Sequence, residues 1–169
     1  MAWLFVWLPL RVAAHPLPTV LAFCVYGSAV LVVAICFENR LLVSWQAVAL
    51  TIPQLIFVTS AIVGGSRTAY LVDLNTSFEV RALSYFHFVM PAVCVYAVMK
   101  LGYDRRALPL QVATAAVVLA ASSGALDVNL VASYGRLTMF LALVAICYLP
   151  AHFAFNGSLL RSPLRRVEG

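Results

Sequence analysis

The chain has 169 residues, of which 64 % are hydrophobic and 10 % charged, and its formal net charge is +5. Soluble domains carry about 25 % charged and about 45–50 % apolar residues, so this composition points to an integral membrane protein and leaves no length for a separate soluble catalytic domain. The basic residues lie in short segments between apolar runs, where topology and anionic headgroups account for them, and nucleic acid is set aside as a partner.

In chain order, residues 1–16, "MAWLFVWLPLRVAAHP", start apolar but lack the basic lead of a secretory signal. Trp3 and Trp7 suit the water–lipid boundary, so the segment is read as interfacial, cut off from the rest of the chain by Pro9, Pro16 and Pro18. Residues 17–160 are expected to form an all-α, polytopic transmembrane helix bundle of five spans, or six if the N-terminal segment also crosses. Unbroken apolar runs put the spans at about 17–36, 41–63, 84–100, 107–121 and 136–155, at or near the roughly 20 residues that a spanning helix requires. Residues 161–169 form a basic tail.

Arg40, Lys100, Arg105, Arg106, Arg161, Arg165 and Arg166 fall on one side of this scheme, and Arg11, Arg67, Arg81 and Arg136 on the other. The positive-inside rule then gives a multi-pass protein of the cell membrane with its C-terminus in the cytoplasm. Cys24, Cys36, Cys94 and Cys147 lie inside apolar runs with no CxxC spacing, and no metal or other cofactor is expected.

Polar groups within the spans are the informative ones, because the bilayer makes them costly and they usually face a protein interior. The second span carries Gln46 and Gln54 roughly on one face, with Pro53 beside the latter; interhelical hydrogen bonding is the default role for such amides and substrate contact the minority one. His87 opens the third span, and the i, i+4, i+7 spacing of His87, Pro91 and Cys94 puts them on one face. Pro91 has no N–H, so it frees the His87 carbonyl. An interfacial ring and a working acid or base are both consistent with that position. As catalytic candidates we take His87 with Asp73 or Asp127 from the two longer loops on its side, to orient or share its proton. Candidate substrate-binding residues are Asn129, Gln46, Gln54, Glu38 and His152.

On the other side "LGYDRR", residues 101–106, reads as a solvated, topogenic turn, with Asp104 capping the next helix and Pro109 at an early helical position. Pro150, two residues before His152, frees the Ile146 carbonyl and is expected to bend the last span.

The runs "ENRLLVSWQAVALTIPQL", "YFHFVMP", "KLGYDRRALPLQ" and "YLPAHFAF", in this order, resemble a family of small uncharacterised bacterial integral membrane proteins described as membrane-associated. The resemblance covers nearly all of the chain beyond the N-terminal segment, and its most specific part is the Leu-Gly-Tyr-Asp-Arg-Arg-Ala turn. It falls on Glu38, Gln46, Pro53, Asp73, His87, Pro91, Gly102, Tyr103, Asp104, Arg105, Arg106, Gln111, Asn129, Pro150 and His152. The chain departs from that pattern at Asp127-Val128-Asn129-Leu130, where an Asn-x-Asn-Trp sequence is expected. The resemblance implies a fold and a location but no activity.

Two function classes emerge. One is an intramembrane enzyme acting on a lipid-like or isoprenoid substrate by acid–base chemistry, drawn from membrane lipids. The other is a noncatalytic accessory or assembly subunit of a membrane complex, whose alanine- and serine-rich fourth span, "ATAAVVLAASSGA", suits close approach of a partner helix. A transporter is less favoured, since no inverted pair of broken helices is visible.

Overall fold

The computed structural model describes residues 23–76, 78, 81, 84–122 and 131–157, and these form a helical bundle in which no strand occurs. Helix α1 spans Phe23–Cys36, α2 Arg40–Ile62, α3 Phe86–Leu101 and α4 Ala107–Ala121. A short helix α5, Val131–Tyr134, precedes a last long helix, Arg136–Asn156. That helix is built as α6, Arg136–Ala142, a π-helical stretch Leu143–Tyr148, and α7, Leu149–Asn156. The π stretch ends two residues before Pro150, whose missing N–H cannot continue the regular i→i−4 ladder, so the helix is locally widened ahead of that proline.

The expected runs and the observed helices coincide closely, most of all at Ala107–Ala121. Two helices, Arg40–Ile62 and Arg136–Asn156, are long and apolar enough to cross a membrane. The others are shorter: at 1.5 Å per residue the 15 residues of α4 rise only about 22 Å against a hydrocarbon core of about 30 Å. The expected N-terminal interfacial segment, the basic tail, Asp127 and Asn129 lie outside the described residues.

Helix α2 is the spine, packed against α1, α3, α4, the last helix and a 3₁₀ turn at Ser66–Leu71. Small side chains allow the close approach: Ala34, Ala47, Ala97, Ala107, Ala115 and Ala151 are buried at the contacts. Gly27 is required where α1 meets α2, since a Cβ there would come within 2.9 Å of the Leu50 side chain and 3.0 Å of the Gln46 amide oxygen.

Polarity is inverted relative to a soluble bundle. Val33, Leu55, Ile56, Val89, Tyr96, Val117, Leu141, Ile146 and Phe153 are exposed, while Ser28, Ser44, Gln46, Thr51, Gln54 and Gln111 are buried. A buried polar group and an extended exposed apolar surface are the two departures that carry information about environment. Here both occur together, and apolar residues surround α1, α3 and α4 rather than striping one face.

Candidate functional site

The buried polar groups form three levels along α2. At the loop end, α2 brings Gln54 to His87 at the start of α3. The Gln54 side-chain oxygen meets His87 Nδ1 in a short hydrogen bond, and Gln54 itself is buried. With the carbonyl of the amide facing the ring, Nδ1–H donates, which leaves the lone pair of the neutral imidazole on Nε2. The ring is held flat by two others: Phe57 stacks on it with centroids 4.0 Å apart and an interplanar angle of 23°, and Phe86 lies at 4.0 Å and 32°. Position, tautomer and ring plane are therefore set by Gln54, Phe57 and Phe86 together.

Asp73, expected beside His87, is exposed and turns back on its own loop. Its carboxylate accepts from the Asn75 backbone N–H at 2.9 Å and from the Asn75 side-chain amide at 3.1 Å. The neighbouring 3₁₀ turn is tied to α2 through Ser60 and Thr68, 3.4 Å apart, and Tyr70 donates to Ser84 at 3.0 Å just before α3.

At mid-depth, Gln46 is fully buried and, among the described residues, neither atom of its amide has a hydrogen-bond partner, nor does Gln54 Nε2; Thr51 Oγ1 lies beside the buried Cys94 thiol. One step further, Trp45 Nε1 donates to Gln111 Oε1 at 2.7 Å, joining α2 to α4, and the buried Gln111 amide also lies beside the Tyr26 and Tyr148 hydroxyls. An unpaired buried polar group typically costs about 1–3 kcal/mol, so the Gln46 and Gln54 amides mark points on α2 where the interior gives up stability.

The turn end is different in kind. Gly102, at φ 85°, closes α3 in a conformation that favours glycine, and residues 103–106 then bond to two other helices. Arg40 at the start of α2 donates to the Tyr103 carbonyl. Ser44 Oγ accepts from the Asp104 N–H at 2.9 Å. The Tyr103 hydroxyl and His152 Nδ1 are 2.7 Å apart, and Arg105 Nε donates to Asn156 Oδ1 at 2.7 Å. The Tyr103 ring stacks on Phe155 at 5.8 Å and 26°.

The Asp104 carboxylate accepts from the Arg106 N–H at 3.0 Å and pairs with its guanidinium at 2.8 Å. It thus closes the turn ahead of α4 and does not reach an amide inside the helix. Hydrogen bonding from Arg106 holds the Asp104 carboxyl well down, at about 2, whereas burial, with the Asp104 charge added, pushes the Tyr103 hydroxyl up. Glu38, between α1 and α2, is exposed and adopts a left-handed φ of 49°, unusual for a non-glycine residue.

The structure thus joins Gln54 to His87 and His152 to Tyr103, and gives Gln46 no partner among the described residues. Trp45, Ser44 and Tyr103 gain roles that the sequence reading did not assign to them, and Gln111 gains a partner. The available signals were Arg40 and Ser44 one turn apart at the head of α2, and His152 and Asn156 at i, i+4 in α7. Among the described residues no cluster of three or more potential metal ligands occurs. No family model, curated protein or solved structure matches the chain.

Proposed function

We propose that the chain is a multi-pass membrane protein with an acid–base centre at His87, acting on a lipid-like or isoprenoid substrate. The observation that carries the site is the contact between His87 and the buried Gln54 amide, inside a slot made by Phe57 and Phe86. A fixed Nδ1–H tautomer presents Nε2 as the basic atom. Gln54 Nε2, without a partner among the described residues, is a further donor in the same region for a substrate oxygen. The membrane setting is supported by the inverted polarity of the bundle, with the three shorter helices completing five spans by tilt or local thinning of the bilayer. Membership of the bacterial family with the Leu-Gly-Tyr-Asp-Arg-Arg-Ala turn belongs to the same reading.

The test is reconstitution of the full chain into vesicles of total bacterial lipid extract, isoprenoid fraction included, followed by mass spectrometry of the lipids. A species altered by the native protein and unaltered by His87→Ala supports the reading; conversion that persists in His87→Ala ends it.

The accessory-subunit reading has its own observation. The last long helix leaves most of its surface uncovered, and Ala113, Ala116 and Ala120 of α4 are exposed small residues suited to helix contact. Purification in mild detergent then yields a stoichiometric partner, and a lone monomer counts against it.

A further inference from the structure

We infer that the Tyr103–Arg106 turn, with the head of α2 and the end of α7, is a binding site for the headgroup of an anionic phospholipid. This rests on the membrane setting proposed above but not on any chemistry at His87. Arg40, Lys100, Arg105 and Arg106 are all exposed at this end of the bundle. Arg106 is neutralised by Asp104. Arg40 and Arg105 are each oriented by a neutral acceptor, the Tyr103 carbonyl and the Asn156 side chain; Arg40 also feels the Asp104 charge, but neither forms an ion pair among the described residues.

A guanidinium has five N–H donors, and one of each group is committed to the protein. The rest of each fork is held in place, charged, and able to make the paired hydrogen bonds that phosphate oxygens accept. A residue that serves topology alone needs a charge but no fixed geometry; these two have both.

The surroundings fit the rest of a lipid. Phe153 is exposed and its ring meets His152 at 5.6 Å, and Phe37, three residues before Arg40, is exposed as well. Exposed aromatic rings beside fixed cations reproduce the order of groups in an amphiphile, with the acyl chains along the rings and the phosphate at the guanidinium groups. Tyr103 and His152, 2.7 Å apart, brace the turn so that Arg105 is carried on a rigid support.

The test uses the full chain in neutral detergent, with phosphatidylglycerol, phosphatidylcholine or inorganic phosphate added and bound lipid counted by native mass spectrometry. Native protein is expected to prefer phosphatidylglycerol. Each arginine removed is expected to lower that preference roughly fivefold, and the pair Arg40→Gln with Arg105→Gln about thirtyfold. Arg105→Gln is also read alone, because it loses only the Asn156 bond; Arg105→Lys keeps the charge without the fork and is expected to fall between.

Equal retention of the two lipids by the native protein overturns the inference, as does an undiminished preference in Arg105→Gln. Displacement of phosphatidylglycerol by millimolar inorganic phosphate reassigns the site to free phosphate and also overturns it. An Arg136→Gln control that loses as much as Arg105→Gln shows diffuse attraction and does the same. Protein that resists carbonate extraction from membranes yet lacks the preference overturns this inference alone; protein that carbonate releases overturns the membrane setting itself.

Discussion

The two ends of α2 each hold a histidine, and they hold it differently. At the loop end His87 bonds to the Gln54 amide and packs against the Phe57 and Phe86 rings. At the turn end His152 belongs to a lattice in which Tyr103, Asp104, Arg105, Ser44, Arg40 and Asn156 join three helices. A group cross-braced in that way is suited to fixing the bundle. A ring whose plane and tautomer are set in advance is suited to acid–base work.

The contrast yields four measurements. The largest expected effect on stability is at the turn end: Tyr103→Ala, which loses both the His152 bond and the Phe155 stack, destabilises by about 3 kcal/mol in unfolding followed by circular dichroism in detergent. Tyr103→Phe keeps the stack and costs about 1 kcal/mol. Equal losses in the two variants would show that the ring contributes nothing and that the hydroxyl bond carries the junction.

Next is Gln46→Leu, expected to stabilise by about 1–2 kcal/mol because it removes an amide with no partner. A marked loss of stability would mean that the amide is satisfied in the bilayer and that the interior of the bundle is not the strained region described here. His87→Phe comes third, with a change of about 1 kcal/mol in the same assay, since it keeps the packing on Phe57 and Phe86 and gives up the hydrogen bond to Gln54. If its cost matches that of Tyr103→Ala, the two ends are alike and the functional distinction fails.

The smallest effect is a pH dependence. The Asp104 carboxyl is depressed to about 2 from an ordinary value of about 3.9. Its contribution is therefore fully present above about pH 4 and is lost as pH falls toward 2. The group is near the surface and its pair with Arg106 is screened, so the amplitude stays under about 1 kcal/mol. Comparing native protein with Asp104→Asn isolates it: the difference between the two melting curves is expected to be constant from pH 5 to 7 and to shrink below pH 4.

The helices could be read from runs of apolar residues because a bilayer-type helix needs little else, and α4 and the last long helix fall where those runs put them. His87, Gln54, Gln46 and His152 stood out for a related reason: a polar side chain in an apolar run is visible without knowing its neighbours. Their partners were not visible. Gln54 and His87 are 33 residues apart and meet through the rotation of α2 against α3, which apolar composition does not encode when both helices are apolar all round. Asp73 and Asp127 were the expected partners on grounds of charge; Asp127 lies outside the described residues, and Asp73, a carboxylate two residues before an asparagine, has a local turn to make and makes it. The turn at 103–106 has a topogenic composition, and only the structure adds that its backbone and side chains bond to residues 40, 44, 152 and 156.

The most direct test of the His87 centre is ¹⁵N NMR of histidine-labelled protein in lipid at neutral pH. The chain has three histidines, so His87 is assigned by its loss in His87→Ala. The expected result is a neutral ring protonated at Nδ1 and bare at Nε2, with that single tautomer lost in Gln54→Leu. A ring protonated at Nε2, or one unchanged by removal of the Gln54 amide, would contradict it.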